Sequence, residues 1–202
     1  MVHSMTGQDH QPFPSKGKLA GGLNTPLSVL RQRVGAEEAT VYSYVVRSIE
    51  NEGGNFVQTG SAPNFQGDLI TLCTCKHQMR TYRSPYGWEG LWIAGFTSVG
   101  IFDERNALVY LTRIAHAFES HHDLWYSQDI LETAKQAKSA RSSRYGDLFQ
   151  PLERLSDPFD PRDYYQPCSG HSHCGDNSWH GDVNYAGRSG RKAALLAGRP
   201  GA

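Results

Sequence analysis

The sequence predicts an α+β fold: a mostly antiparallel sheet, one substantial helix and long glycine-rich loops. Three observations carry this expectation. Four stretches are dense in β-branched and aromatic residues and bounded by turn formers, which is the composition of strands. A later stretch, residues 121–138, has helical composition with few breakers. The chain of 202 residues also holds 21 glycines and 10 prolines, which imply many turns and long loops.

Residues 1–38 are polar and punctuated by Gly and Pro, with one short helix predicted at 25–34, and read as a poorly ordered lead-in. The first strand is predicted at 39–48, ATVYSYVVRS. The loop ENEGGNFVQTGSAPNFQG follows, and loops of that length in a compact domain are usually functional or mobile. Residues 68–75, DLITLCTC, read as a second strand, with Lys76, His77 and Arg80 in one helical turn after it. LWIAGFTSV at 91–99 and LVYLTRIAHAF at 108–118 complete the strands; alternation in the last is blurred, as burial on both faces would make it. After the helical stretch come a loop at 140–149 with two arginines and a turn-rich connector, DPFDPR, at 157–162. Residues 186–202 show no periodicity and read as a disordered tail, leaving 39–185 as a single domain.

Twenty basic residues balance twenty acidic ones, so no global field draws the chain to nucleic acid or an anionic membrane, and any such contact must be local. No apolar run reaches membrane-spanning length and the N-terminus lacks an apolar signal core, so a cytoplasmic protein with no membrane partner is expected. Four cysteines, in the pairs Cys73/Cys75 and Cys168/Cys174, are too few for a disulfide scaffold at this length and read as thiols or ligands.

The densest chemistry lies in YYQPCSGHSHCGDNSWHGDVNY, residues 164–185. Cys168, His171, His173, Cys174 and His180 are numerous enough for tetrahedral zinc, but the spacing matches no zinc module, and a solvated polar loop without metal is the expectation. Gly175, Asp176 and Asn177 signal a turn, and the same carboxylate and amide can read a nucleobase edge. Lys138, Arg141 and Arg144 beside Tyr145 form a basic-aromatic group suited to phosphate and base; a solvated helix end is the plainer alternative. Cys75 next to Lys76 is open to two readings, a buried small hydrophobe or a thiolate favoured by the ammonium charge.

Together YSYVVR, SAPNFQGDLITLCTCKHQMR, GLWIAGF, LVYLTRIAHAFESHHDLWY and CGDNSWH resemble the nucleotide modification associated domains, in particular the second and third of those families, found in phages and bacteria. The similar features are the APN-x-x-G loop leading to a Cys-Lys strand end, an aromatic-rich segment after a strand, and a late Gly-Asp-Asn followed by an aromatic. The matching positions are Tyr44, Asn64, Gly67, Cys75, Lys76, Arg80, Tyr126, Gly175, Asp176 and Asn177. The resemblance implies a role in making or handling modified nucleotides or DNA bases; it carries over no reaction, cofactor or catalytic assignment. The chain departs from it where another apolar strand is expected after Gly-Asp-Asn.

The expectation is therefore an enzyme or accessory factor of nucleotide or DNA-base modification, with nucleotide or DNA as partner and other modification-system proteins as possible ones. Lys76 and Arg144 would hold phosphate, Asp176 would act as general base or base-edge acceptor, and Cys75 is the one candidate nucleophile. Asn64 and Asn177 would orient the ligand, with Arg80 and Tyr126 as further substrate contacts. Two rivals stand beside it: a non-catalytic reader with a cage drawn from Trp88, Trp92, Trp125 and Trp179, and a zinc-stabilised interaction domain.

Overall fold

The structure, a computed structural model, describes residues 27–35, 39–52, 55–101, 106–171 and 177–199. Seven strands are present among them: β1 Val41–Val45, β2 Ile49–Glu52, β3 Asn55–Gln58, β4 Ile70–Leu72, β5 Trp92–Phe96, β6 Leu108–Phe118 and β7 Leu195–Gly198. The helices are short: α1 Leu27–Val34, α2 His77–Arg80, α3 Pro85–Trp88, α4 His121–Tyr126, α5 Glu132–Ala137 and α6 His180–Asn184. None is long and apolar enough to cross a membrane.

Five strands form one mixed sheet in the order β1-β5-β6-β7-β4, and β2 pairs with β3 in a separate hairpin. β1 runs parallel to β5, whereas β5–β6, β6–β7 and β7–β4 are antiparallel. The sheet is thus mixed, with one parallel pair that local patterning did not reveal. The four predicted strands all appear, and β6 occupies the predicted residues end to end. The long loop is less of a loop than expected, since β2 and β3 lie within it.

The expected substantial helix is absent among the described residues. The 121–138 stretch breaks into α4 and α5, and Ser127 between them is extended. The Ser127 hydroxyl accepts from the Asp129 amide at 3.1 Å and donates to the Asp129 carboxylate at 3.3 Å. Such local side-chain bonds compete with the helical ladder, and the bend delivers Ile130 into the core at 5% exposure.

The second correction concerns the tail. Residues 195–198 are not disordered but form β7, a strand with partners on both sides. β7 sends Leu196 into a cluster with Ile70, Leu72, Ile93, Val109 and Ile114, and Leu195 and Ala197 into another with Leu69, Cys73, Leu124 and Leu148. A strand buried on both faces reads as a plain apolar run, here ALLAG, and gives no alternation to detect.

Candidate functional site

A row across the sheet builds one wall of the site. Gly95 on β5 stands opposite Tyr44 on β1 and opposite Tyr110 on β6. With no side chain at the middle position, the Tyr110 ring leans over the strand; a Cβ on Gly95 would meet that ring at 2.3 Å. The two hydroxyls therefore meet, 2.7 Å apart. Burial pushes the ionisation of both phenols up, so both stay neutral.

Beside this pair opens a cleft of about 230 Å³, lined by the end of β1, the 60–62 loop and the turn after β4. Arg47, Ser48, Ser61, Thr74, Cys75 and Lys76 supply its polar wall, and the Ser61 and Thr74 hydroxyls are bonded at 2.7 Å. Lys76 has a left-handed backbone, φ 57° and ψ 34°, immediately before α2. A non-glycine residue held there is uncommon and marks a turn fixed by its surroundings. Its ammonium lies 5.1 Å from the centre of the Tyr44 ring, within cation–π range.

Arg80 fixes that turn from beneath. It is fully buried and donates to the carbonyls of Cys75 at 2.8 Å, Cys73 at 2.7 Å and Ala194 at 2.7 Å. The sequence reading offered Arg80 as a substrate contact; the structure places it inside the fold, bonded to backbone. Cys75 lies half-buried in the cleft wall with its thiol 3.6 Å from the Ala62 carbonyl. Burial pushes that thiol up to about 12, with Arg80 and Lys76 pulling weakly the other way. It stands protonated near neutral pH, which is not the state of a nucleophile.

Next to Lys76, His77 presents Nε2 to the Asp182 Oδ1 at 2.7 Å. The carboxylate is buried, at 1% side-chain exposure, whereas the imidazole is 24% exposed. A carboxylate accepts, so Nε2 is the donor, which in the neutral imidazole leaves the lone pair on Nδ1. The Tyr185 ring stacks on the imidazole, 4.9 Å between centres at 26°, and its hydroxyl donates to Gln78 at 3.1 Å. Behind them His121 is buried and accepts the Phe149 amide on Nδ1 at 3.2 Å. Burial lowers its ionisation to about 3, so it remains neutral. The strand end after β4 and the 164–185 segment are thus joined, through residues 105 positions apart. Sequence reading passed over His77 and Asp182 as partners because nothing local links them.

The other predicted site residues fall elsewhere. Asn64 has no exposure; its amide donates to the Tyr145 carbonyl at 2.8 Å, and its Oδ1 accepts from the Lys138 ammonium and the Gln66 amide. Lys138 is buried with it, and Asp147 accepts from the Thr71 hydroxyl and the Cys73 amide. Burial lowers Lys138 to about 8 and raises Asp147 to about 6. These three hold the interior together. Arg144 is exposed and lies against the Tyr145 ring and hydroxyl, while Tyr126 and Asn177 are exposed at the surface. Asp176 and Gly175 lie outside the described residues, as do His173 and Cys174 of the proposed metal group. Among the described residues no three His, Cys, Asp or Glu side chains are grouped to hold a metal. All four tryptophans are buried, at 0–8% exposure, so they form no surface cage.

A family model described as nucleotide modification associated domain 2 matches residues 38–184. No curated protein and no solved structure matches the chain.

Proposed function

Because this chain belongs to the nucleotide modification associated domain 2 family, we propose that it is an enzyme that modifies a nucleotide or DNA base, with the cleft beside Tyr44 as its nucleotide site. The observation that carries this reading is the adjacency of Lys76 and His77. Lys76 is held at the cleft by an unusual backbone, and the next residue is a half-exposed imidazole oriented by a buried carboxylate.

In this reading Lys76 and Arg47 hold phosphate as charge-assisted donors, and the Ser61 and Thr74 hydroxyls complete the polar wall. His77 takes a proton at Nδ1 from the group being modified, and Asp182 keeps the imidazole in the tautomer that accepts it. The general-base role that the sequence reading gave to Asp176 falls in this reading to His77, with Asp182 as its positioning carboxylate. Cys75 shapes the wall without attacking the substrate.

Two measurements test it. Calorimetric titration with deoxynucleoside monophosphates should show Lys76→Ala binding about ten- to hundred-fold more weakly, the scale of one charge-assisted bond. Mass spectrometry of nucleosides from cells expressing the protein should show a modified nucleoside that disappears with His77→Gln, although that variant still binds nucleotide. The reading is wrong if the parent binds no nucleotide, or if His77→Gln leaves the nucleoside profile unchanged.

A further inference from the structure

The chain is neutral overall, yet its charge is not evenly spread. From residue 69 to residue 88 there is no acidic side chain, and none follows Asp182. The fold lays these two acid-free segments against each other. Arg191 donates to the Thr81 and Tyr82 carbonyls at 3.2 and 3.0 Å, the Tyr185 hydroxyl meets Gln78, and Asp182 meets His77. Asp182, the acid in these contacts, is buried and engaged with His77. Glu89, the next acidic residue past the first segment, accepts the Ala117 amide at 3.3 Å.

Cations are left along the joined segments. Arg188 and Arg191 are exposed, Lys76 and Arg83 are half-exposed, and Arg83 is braced on Tyr42, its Nε 2.8 Å from the hydroxyl. Two large rings stand out from the same stretch: Tyr82 at 56% and Tyr86 at 87% exposure. A tyrosine ring that exposed makes no contribution to the core, and two of them four positions apart, flanked by arginine, repeat the pairing of aromatic platform and cation that holds unpaired bases and their backbone. Duplex DNA would offer its phosphates but not its base faces.

We propose that this face binds single-stranded DNA, leading the strand past Tyr82 and Tyr86 to the cleft at Lys76. The inference rests on the nucleotide-modification reading of that cleft and specifies its substrate as a base within a polymer rather than a free nucleotide. Strand binding here would be local in origin, as a chain of zero net charge requires. Each phosphate met by a cation would release counterions, giving a salt dependence that a mononucleotide lacks.

The test compares a thymidine homo-oligonucleotide of twenty residues, the same length of duplex, the matching RNA oligomer and thymidine monophosphate, using the full chain throughout. Fluorescence anisotropy at several salt concentrations should show the DNA single strand bound about tenfold or more tighter than the monophosphate or the duplex at low salt. Tyr86→Ala should weaken the single strand about five- to hundred-fold, the range of one lost base stack. Arg188→Ala should flatten the slope of log affinity against log salt by about 0.7. Neither change should alter monophosphate binding. A single strand no tighter than the monophosphate, an RNA oligomer preferred to DNA, or Tyr86→Ala indistinguishable from the parent would each overturn the inference while leaving the cleft reading standing. If the monophosphate fails to bind while Tyr86→Ala still weakens the single strand, the face is upheld and the cleft assignment falls.

Discussion

Cys75 and His77 are two positions apart, and burial gives them opposite characters. The sequence shows Lys76 between them, a charge that favours a thiolate; only the fold shows that Cys75 is enclosed enough for its thiol to reach about 12. Desolvation outweighs the two nearby cations, and the thiol loses the role that its neighbour suggested. Two other buried groups make acid behaviour predictable. His121 has a folded value of about 3 against an ordinary 6.5, so its contribution to stability is present above 6.5 and lost as pH falls toward 3. Asp147 has a folded value of about 6 against 3.8, so its contribution is present below 3.8 and lost as pH rises through 6. Between pH 3.8 and 6 the two slopes oppose each other. Asp147→Asn removes one of them, and the unfolding free energy of that variant should then fall on acidification by up to about 1.4 kcal/mol per pH unit more than the parent's. Urea unfolding at pH 4, 5 and 6 measures this; parallel pH profiles would refute it. At pH 7 the variant should also be destabilised by about 1–3 kcal/mol, because Thr71 and the Cys73 amide donate to different carboxylate oxygens and Asn puts an NH2 donor in place of one of them.

At the scale of elements, strands were legible where their residues declare a preference, and so were the short helices at 27–34 and 77–80, but the long helical stretch was not. β6 is aromatic, β-branched or aliphatic at all of its eleven residues but Arg113 and His116, and it spans the predicted residues. The 121–138 stretch has helix-forming composition, yet Ser127 and Asp129 spend their side chains on each other and on local backbone. The β2–β3 hairpin carried a usable signal, the Gly53-Gly54 pair between two short strands, but four residues each, with Ile49 and Val57 as the buried apolar ones, are too few to give a period to read. Gly95 is the element-scale device behind the site. Its partners Tyr44 and Tyr110 are 66 positions apart and become neighbours only because β1 and β6 flank β5. Gly95→Ala would put a methyl 2.3 Å from the Tyr110 ring, so ring or strand must move at a cost of about 1–3 kcal/mol. The Tyr44–Tyr110 hydrogen bond should break with it. The expected outcome is a lowered melting temperature together with weakened nucleotide binding at the adjoining cleft. Unchanged binding in a destabilised variant would show that the tyrosine wall does not shape the cleft.

For the whole molecule, the deciding element is the one that the sequence concealed. Residues 186–202 carry four glycines, four cations and a short alanine-leucine run, a composition with no period and few strong strand formers. Pairing with β6 and β4 turns that run into an interior strand of the sheet. Ala194, Leu195, Leu196 and Ala197 are each 2% exposed or less, and the Ala194 carbonyl is one of the acceptors that hold Arg80 under the Lys76 turn. β7 therefore links the core to the site. Deleting residues 193–202 would expose two leucines worth about 1.5–3 kcal/mol each, unpair two strands, and leave the buried Arg80 guanidinium short of acceptors at a further cost of about 1–3 kcal/mol or more. Those losses approach the whole stability of an ordinary domain, about 5–15 kcal/mol. The truncated chain should lose its cooperative urea transition and its near-ultraviolet circular dichroism, whereas Arg188→Ala, in the exposed turn before β7, should keep the parent's midpoint. A truncated chain that still unfolds cooperatively near the parent's midpoint would mean that the sheet closes without its interior strand.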